Sequence, residues 1–403
     1  MKKECSYMRV GTVYYKTIYK PNLYGDKIKL LVRWDSETIK QDHGKDYLSE
    51  VPKYDGFGFY PGHIDYKYEN LGFINKYHSI NNKPMEGTCN KITDFIRHIF
   101  GEQYELGLDY ISLLYLQPTR RLPILCLVSK KRNTGKSTFL MFLKAIFENN
   151  MTINTNEDFR SNFNADWSDK LIVGVDEALL DRREDSERIK NLSTAKTYKT
   201  EAKNKDKFEE VFIGKFILCS NNEDNFIIIE PEETRYWIRK IEPFTSENEN
   251  LLNELEKEIP QFLYFLTQRT LVPPKVITRM WFSSEQIATD ALKRVKRKFL
   301  NRAEMELLEI FRDIMEAKEP AKLCFTNTNV KALLERAGIK LSRNDVRKIL
   351  EEKFSLTQQS NSLTYKEFYY DGTGFIYERD VVGRYYSLKK EDFDKIYDEL
   401  MNY

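Results

Sequence analysis

Residues 124–138 read ILCLVSKKRNTGKST, and this stretch decides what kind of fold the chain can adopt. The apolar run Ile124–Ser129 predicts a short strand that is buried on both faces of a sheet. The apolar spacing over Ser137–Phe147 predicts a helix directly after it. A tight loop between a strand and a helix N-terminus presents backbone N–H groups where the helix dipole favours anions. The segment therefore predicts a phosphate-binding loop.

The side chains of this loop are those that a nucleoside triphosphate and its metal require. Gly135 would let the backbone approach the phosphates, Lys136 would reach the β- and γ-phosphates, and the Ser137 hydroxyl would bind Mg²⁺. One position departs from the GxxxxGK[ST] pattern, since Lys130 stands where the pattern has glycine. A chance GKST in a lysine-rich chain is the alternative interpretation. The predicted cofactors are ATP and Mg²⁺, and the predicted nucleotide-binding residues are Asn133, Thr134, Gly135, Lys136, Ser137 and Thr138.

Two further apolar runs repeat the pattern of a buried strand. They are Lys170–Asp176 and Lys215–Ser220, and helical spacing over Ser186–Ser193 lies between them. Strands that alternate with helices predict an α/β fold with a largely parallel sheet flanked by helices.

Composition and chain breaks divide the sequence into four predicted regions. Residues 1–92 alternate short aromatic stretches with turn clusters and predict a small mixed or irregular unit. Residues 93–272 are predicted to form the ATPase domain with a helical lead-in. A basic linker helix is expected over residues 273–302. Residues 303–403 predict three helices followed by a β-hairpin, which is the order of a winged-helix-like α+β domain that docks nucleic acid or protein.

Polar side chains follow the second and third predicted strands. Asp176 and Glu177 end the second, at the edge where ligands bind in open α/β sheets. Asp176 would complete the Mg²⁺ shell with Ser137, and Glu177 would polarise the attacking water. Asn221 ends the third strand and could orient the same water, with Asn222 as the second choice. A solvated turn is the alternative interpretation of the acidic pair.

Two arginines complete the predicted catalytic set. Arg235 and Arg239 stand four residues apart and would share one face of a helix or of a strand. An arginine placed across a subunit boundary can stabilise the transferring phosphoryl group. Ordinary salt bridges with Glu230, Glu232 or Glu233 are an equally good interpretation.

The composition excludes several classes of protein. The chain has 64 Lys+Arg and 62 Asp+Glu, a net charge of +2, so any nucleic-acid site must be a local patch. No apolar run approaches the roughly 20 residues that span a bilayer, and we expect a cytoplasmic protein with no membrane partner. Five scattered cysteines and four scattered histidines predict neither a disulfide framework nor a zinc site.

The motifs resemble those of one family. TGKST at 134–138, VDE at 175–177 and SNN at 220–222 stand in the order of motifs A, B and C of superfamily 3 helicases. The likeness is closest to the helicase part of phage and plasmid primase–helicases, and it covers about residues 123–244. It implies an AAA+ ATPase core that assembles as a ring, usually a hexamer, and moves along single-stranded DNA.

The resemblance also implies a role for single positions. Arg235 is the best match to the family's arginine finger. No primase domain is visible, so we expect either the helicase portion alone or a helicase whose primase is a separate chain. The remaining matches are Lys136 and Ser137 for motif A, Asp176 and Glu177 for motif B, and Asn221 for motif C.

DNA contacts are predicted at a hairpin between motifs B and C. Two strand-like pieces, Thr197–Ala202 and Phe208–Gly214, flank a lysine-rich tip. In the family the corresponding hairpin projects into the central channel, and lysines suit the phosphate backbone as a sequence-independent partner. A solvated tip is the alternative, and the basic patch Lys293–Arg302 is as readily a linker-helix face as a DNA site. The predicted DNA-binding residues are Lys199, Lys203, Lys205 and Lys207.

These observations predict an ATP-dependent DNA helicase of the superfamily 3 kind that acts in phage or mobile-element replication. Its expected partners are single-stranded or forked DNA, further copies of the chain in a hexameric ring, and a separate primase. If the chain is phage-encoded, it would act in the host cytoplasm. Two alternatives stay open: a P-loop ATPase that loads another helicase or packages DNA, and an ATP-gated replication initiator that binds DNA.

Overall fold

The computed structural model describes residues 6–21, 27–161, 167–195, 197–200, 208–271 and 279–401. The N-terminal part forms two small sheets, with strand orders β3-β2-β1-β4 and β5-β7-β6, and two short helices. Its elements are β1 (Tyr7–Val10), β2 (Val13–Pro21), β3 (Lys27–Trp34), α1 (Ser36–His43), α2 (Tyr47–Glu50), β4 (Lys53–Tyr54), β5 (Gly56–Gly58), β6 (Glu69–Asn70) and β7 (Phe73–Asn75).

The central part is built on a five-stranded sheet with the order β14-β8-β13-β10-β9. Every neighbouring pair of strands in it is parallel, as the sequence predicts. Its first elements are α3 (Asn90–Phe100), α4 (Tyr104–Leu116), β8 (Ile124–Val128), α5 (Lys136–Phe147), β9 (Met151–Asn154), α6 (Asn156–Arg160), β10 (Ile172–Val175) and α7 (Arg183–Thr194). The later ones are β11 (Thr197–Thr200), β12 (Phe208–Val211), β13 (Lys215–Ser220), β14 (Tyr236–Lys240), α8 (Leu251–Lys257) and α9 (Ile259–Gln268).

Burial on both faces explains the continuous apolar strands. Side chains alternate across a strand, so neighbouring residues of β8 enter different cores. Leu125 and Leu127 pack with the helices α3–α5, α8 and α9. Cys126 and Val128 pack on the other face with residues of α7 and of the long helix that follows the central part. The prediction of an α/β fold with a helix-covered parallel sheet is therefore confirmed.

The C-terminal part has a core of its own, formed by helices packed on a sheet with the order β17-β16-β15-β18. Three helices precede the antiparallel β16–β17 hairpin, in the order that the sequence predicts. The elements are α10 (Asp290–Lys318), β15 (Lys322–Phe325), α11 (Asn327–Arg336), α12 (Arg343–Lys348, continued by one π-helical turn, Ile349–Lys353), β16 (Leu363–Tyr370), β17 (Ile376–Gly383), β18 (Tyr386–Lys389) and α13 (Lys390–Met401).

Helix α10 crosses the boundary that the sequence predicts at residue 302. The expected linker helix and the first helix of the C-terminal domain are one helix of 29 residues, because neither glycine nor proline interrupts it. Its first half packs Leu292 and Val295 on the central sheet, and its second half packs Leu307 and Phe311 in the C-terminal core. No helix among the described residues is both long enough and apolar enough to cross a membrane.

Candidate functional site

A polar cleft of about 320 Å³ opens at the carboxyl edge of the central sheet. The loops after β8, β13 and β10 form it, and these three strands are neighbours, so their carboxyl ends meet in one place. The structure thus brings together all the predicted nucleotide-binding and acidic residues and Asn221. The lining residues are Arg132, Asn133, Thr134, Gly135, Lys136, Ser137, Thr138, Asp176, Glu177, Cys219, Ser220 and Asn221.

The loop after β8 is held in shape from two distant parts of the chain. Asn133 and Gly135 adopt positive φ angles of 54° and 83°. The carbonyl oxygen of Asn133 accepts a hydrogen bond from the Phe244 N–H at 2.9 Å. His98 donates from Nε2 to the carbonyl oxygen of Thr134 at 3.1 Å and stacks on Phe244 with ring centroids 4.0 Å apart. These contacts hold the loop in its turn at the start of α5.

Lys136 is the buried cation of the cleft. It is the first residue of α5 and is only 7% exposed. Its Nζ donates to Thr134 Oγ1 at 3.0 Å and to the Ser129 carbonyl oxygen at 3.5 Å. Burial lowers the pKa of Lys136, and the nearby Cys219 and Asp176 oppose that shift. The ammonium group has no carboxylate within ion-pair distance among the described residues, so it lacks a counter-ion.

The acidic pair lies in a tight turn after β10. Glu177 has a positive φ of 51°, and its N–H donates to Asp176 Oδ1 at 3.0 Å. Asn156 bridges the turn, since its Nδ2 donates to the Glu177 carbonyl oxygen at 3.1 Å and its Oδ1 accepts from the Leu179 N–H at 2.9 Å. These hydrogen bonds fix the backbone of the turn, while the Glu177 side chain stays exposed to the cleft.

The two asparagines after β13 have different surroundings. Asn222 Oδ1 accepts the N–H groups of Asp224 at 3.2 Å and Asn225 at 2.9 Å, so its amide is used within the turn. Asn221 is exposed and lines the cleft. The order of preference in the sequence prediction, Asn221 before Asn222, matches this placement.

Lys130 replaces the glycine of the pattern without backbone strain. It is not among the residues with positive φ, so its position tolerates a side chain. Its N–H donates to Glu223 Oε1 at 2.9 Å, and Glu223 is 4% exposed. A buried carboxylate thus anchors the first residue of the loop.

Glu223 and Asp224 also bind the start of α10. Asp224 lies 3.2 Å from Lys298 Nζ, 3.4 Å from Lys130 Nζ and 3.7 Å from Arg294 Nε. Burial raises the pKa of Asp224, but Lys298 and Lys130 more than offset it, and the net pKa is lower than usual. The acidic pair therefore joins the loop to the helix that leads to the C-terminal part.

Most cations of the basic patch Lys293–Arg302 are already used inside the chain. Beyond the ion pairs with Asp224, Lys293 pairs with Asp290 at 3.0 Å. Lys296 donates to the carbonyl oxygens of Pro231 and Glu233 at 2.8 and 2.6 Å, and burial lowers its pKa. The linker-helix interpretation of this patch is the one that the contacts favour.

The two predicted arginines lie away from the cleft of their own chain, and they do not share a face. Arg235 precedes β14 at the amino edge of the sheet, where its Nη1 donates to the Lys190 carbonyl oxygen at 3.3 Å. Arg239 lies within β14, is 7% exposed and pairs with Glu102 at 2.7 Å. Strand β14 begins only at Tyr236, so Arg235 lies outside the strand and does not follow its alternation of faces. Arg235 therefore lies beside α7, whereas Arg239 lies beside the turn between α3 and α4.

The predicted hairpin is confirmed in its two strands. Strands β11 and β12 pair antiparallel over four residue pairs. Lys203, Lys205 and Lys207 lie outside the described residues, as does the side chain of Lys199. Their predicted contact with DNA stays a prediction.

Sequence reasoning missed four residues that shape the cleft. Glu223 stands two positions after Asn221, and its place beside a predicted ligand was a usable signal. Asn156, His98 and Phe244 gave no local signal, because their roles come from contacts with residues 21 to 111 positions away.

The donor set fits Mg·ATP. Loop N–H groups, the Lys136 ammonium, the Ser137 hydroxyl and the Asp176 carboxylate are the groups that phosphates and a hard cation require. A Cβ atom on Gly135 would lie 3.0 Å from Phe244 and 3.1 Å from Phe95, so the loop backbone is packed closely from behind. Mg²⁺ is commonly bound by one or two protein oxygens together with substrate phosphates, which Ser137 and Asp176 could supply.

Fold and cleft define a mixed α/β protein with a five-stranded parallel sheet and a polar site at its carboxyl edge. A family model described as a family of unknown function, DUF5906, matches residues 127–239, which carry all three loops of the cleft. The chain is 27% identical over 184 residues to the DNA primase-polymerase of Nitratiruptor phage NrS-1. That alignment covers 44% of this chain and 26% of the phage protein, so it spans about a quarter of the relative's length.

Solved structures show the same fold over nearly the whole chain. The A form apo structure of the NrS-1 C-terminal region aligns with a TM-score of 0.54 and 16% identity, over 94% of this chain and 96% of that one. Another apo structure of the NrS-1 C-terminal region gives a TM-score of 0.55 and 17% identity with the same coverage. At such identities the likeness concerns the fold alone.

Proposed function

We propose that the chain is an ATP- and Mg²⁺-dependent DNA helicase of the superfamily 3 kind, with an AAA+ P-loop core that works as a hexameric ring. One observation carries this proposal: Lys136, Ser137, Asp176, Glu177 and Asn221, from three neighbouring strand ends, line one cleft. The positions match the family's motifs A, B and C in kind and in order.

The roles of the residues follow from their chemistry. Bound Mg·ATP supplies the phosphoanhydride bond and the charge of the metal. Lys136 would contact the β- and γ-phosphates, with Ser137 and Asp176 as the metal ligands. The exposed Glu177 carboxylate would accept a proton from the attacking water, and Asn221 would hold that water in line. The pinned backbones on either side would keep these groups oriented.

A neighbouring subunit would supply the arginine that completes the site. Arg239 forms an ion pair with Glu102 of its own chain. Arg235 is partly exposed, and among the described residues it contacts only the Lys190 carbonyl oxygen and Glu233, the latter at 3.6 Å. Arg235 is therefore the better candidate for the finger, and its place at the amino edge, away from its own cleft, suits a contact made in trans.

Single-stranded or forked DNA is the proposed substrate, gripped by the lysines of the β11–β12 hairpin. Support comes from the similarity to a phage DNA primase-polymerase, which suggests a role in phage DNA replication in the host cytoplasm. A primase acting with the ring would belong to the same or to a separate chain.

ATP hydrolysis with and without oligothymidylate tests the proposal. We expect DNA to stimulate hydrolysis, and Lys136→Ala to lower turnover by about 100-fold or more, because a charge that faces the transferring phosphoryl group is lost. Lys131→Ala is the matched control, since Lys131 is exposed in the same loop and, within the part of the chain that the structure describes, its only ion pair is with Glu242 at 3.8 Å. A pure, ring-forming sample with no DNA-stimulated hydrolysis and no unwinding of a fork would overturn the helicase assignment.

The same preparations separate the alternatives. Stimulation by a partner protein but not by single-stranded DNA would indicate a helicase loader. Sequence-specific duplex binding that survives Lys136→Ala would indicate a replication initiator. Negative-stain images with an ATP analogue and single-stranded DNA should show a ring with a strand in its pore.

A further inference from the structure

The β2–β3 hairpin is strongly basic, although the chain as a whole is nearly neutral. Residues 13–34, which span the hairpin, contain five Lys or Arg and one acidic residue, Asp26. The whole chain, by contrast, carries 64 basic and 62 acidic residues. Tyrosines at positions 7, 14, 15 and 19 and a tryptophan at 34 are interleaved with these cations. Cations alternating with aromatic side chains are typical of surfaces that bind nucleic acid without sequence preference.

The hairpin is a ribbon that extends past its small core. Strands β2 and β3 pair antiparallel over eight residue pairs, from Tyr14 opposite Trp34 to Pro21 opposite Lys27. No residue of β2 is fully buried, and Tyr19, near its end, is 57% exposed. Leu30 and Leu31 on β3 are 37% and 40% exposed. Both faces of this end of the ribbon are therefore accessible.

Within the described part of the ribbon, the cations lack the carboxylate partners with which protein cations usually form ion pairs. Among the described residues, neither Lys20 nor Arg33 lies within ion-pair distance of a carboxylate. Lys16 lies over the rings of Tyr7 and Trp34, 5.0 and 4.4 Å from their centroids. Asp35, the carboxylate next in sequence to β3, is used to cap α1, where it accepts the N–H of Glu37 at 3.1 Å.

Two buried donors on the same sheet also have no hydrogen-bond partner among the described residues. They are Arg9 Nε and Trp34 Nε1. The register places Arg9 opposite Tyr14 and Tyr14 opposite Trp34, so both donors lie on one face of the sheet, on the two strands that flank β2.

From these contacts we infer that the β2–β3 ribbon is a second nucleic-acid site, which binds single-stranded DNA outside the ATPase core. The register places Tyr19 and Arg33 on one face of the ribbon and Lys20 on the other, so the DNA strand passes around the β3 edge of the sheet. Lys20 and Arg33 bind backbone phosphates on the two faces, and Tyr19 stacks on a base. Stacking requires a base freed from a duplex, so the exposed tyrosine favours a single strand over double-stranded DNA. The inference rests on the proposed function for the identity of the ligand as DNA, but the binding itself requires neither ATP nor the cleft.

Salt dependence of binding tests the cationic part. Binding of the full chain to fluorescein-labelled oligothymidylate is measured by anisotropy at several salt concentrations, all in the Lys136→Ala background. Since each phosphate contact on a single strand contributes a slope of about 0.7, the double variant Lys20→Gln/Arg33→Gln should lower the slope of log K against log salt by about 1.4. The matched control is Lys389→Gln/Lys390→Gln, which removes two exposed cations without ion pairs among the described residues and should leave the slope unchanged. Equal slopes in the two double variants would overturn the inference.

Aromatic substitutions test the stacking part. Tyr19→Ala should weaken binding to oligothymidylate about tenfold or more, whereas Tyr19→Phe keeps the ring and should bind normally. Tyr377→Ala, which removes a tyrosine of similar exposure from the C-terminal hairpin, should have no effect. Equal affinities of Tyr19→Ala and Tyr19→Phe, or a preference for a duplex of the same sequence, would contradict a single-strand site.

Failure of this inference can be told from failure of the proposed function. If the ribbon variants bind normally while Lys136→Ala, made in the otherwise wild-type chain, abolishes DNA-stimulated hydrolysis, the ribbon assignment falls and the helicase proposal stands. If the chain hydrolyses no ATP but its binding still depends on Tyr19, Lys20 and Arg33, the ribbon assignment stands alone.

Discussion

Gly135 shows how a single residue connects backbone geometry to the site. Its φ of 83° lies in the left-handed region of the backbone, which residues other than Gly, Asn and Asp rarely adopt. The space for a Cβ atom is also occupied by the rings of Phe244 and Phe95. Both the conformation and the packing therefore require glycine at the N-terminus of α5.

Gly135→Ala should lower the free energy of unfolding by about 1–2 kcal/mol and abolish the proposed nucleotide binding, because the turn must change to relieve the backbone strain and the close contact with the two rings. Urea unfolding and binding of a fluorescent ATP analogue measure the two effects. Gly372→Ala is the control, since a Cβ there meets nothing within 4 Å and no positive φ is involved. Equal effects of the two substitutions would show that the loop does not require this conformation.

His63 is the second position where one residue has a consequence for the whole chain. Its Nδ1–H donates to the Tyr115 carbonyl oxygen at 3.1 Å, and its Nε2 accepts from the Tyr77 hydroxyl at 2.6 Å. Burial, with a smaller effect of Lys83, lowers the pKa of His63 to about 4. The folded protein thus keeps this imidazole neutral where an unfolded chain would protonate it.

The stability that His63 contributes is present above a pH of about 6.5 and is lost as the pH falls towards about 4, because protonation then favours the unfolded chain. Between pH 7 and pH 4 we expect a loss of roughly 3 kcal/mol from this group. Urea unfolding of the wild type and of His63→Gln at both values measures it. The variant should lose less stability on acidification, and an identical loss in both would contradict the assignment.

At the scale of elements, sequence patterns located the three strands that form the cleft. Strands β8, β10 and β13 are continuous apolar runs followed by turns, a local signal of burial on both faces. Strand β9 carries no such signal, because its sequence MTIN is short and half polar. The sequence of β14, YWIRK, fits a helix as well as a strand, because it ends in two cations and only the distant Glu102 explains how Arg239 can be buried.

The same distinction holds within the cleft. Lys136, Asp176 and Asn221 could be predicted, because each directly follows a recognisable strand or loop. His98 could not, because its contact with the loop joins segments that are far apart in sequence. The place of Glu223 beside Asn221 is a usable signal, but its contact with the Lys130 N–H is not visible in the sequence. The predicted boundary at residue 302 falls inside α10, where the packing partner changes from the central sheet to the C-terminal core without a break in the helical pattern.

The start of α10 depends on one cap. Thr289 Oγ1 accepts the Leu292 N–H at 3.1 Å and donates to the Ile238 carbonyl oxygen of β14 at 2.6 Å. Thr289→Ala should therefore cost about 1–2 kcal/mol of unfolding free energy, while Thr289→Ser retains the hydroxyl and most of the stability. Thermal unfolding of both variants compares them. Equal losses would indicate that the methyl group, and not the cap, is responsible.

At the scale of the whole molecule, the packing of α10 decides where the chain can be divided. Its first turns bury Ala291, Leu292 and Val295 against the central sheet. A fragment ending at residue 302 should therefore be more stable than one ending at residue 289, by roughly 3 kcal/mol or more from the buried apolar side chains. Calorimetry of the two fragments checks this. Equal stabilities would mean that α10 contributes nothing to the central core.

The continuity of α10 makes it a lever. Its 29 residues extend about 43 Å, and Asp224 holds it near its beginning, at Arg294 and Lys298. From there to Lys318 is a rigid arm of about 30 Å. A tilt of about 5° at the held end would displace the far end by about 3 Å, so a small rearrangement of the loop that shares Glu223 would be magnified at the C-terminal part. Under the proposed ATPase function, the helix would carry a rearrangement of the cleft to the C-terminal part without a hinge along its length.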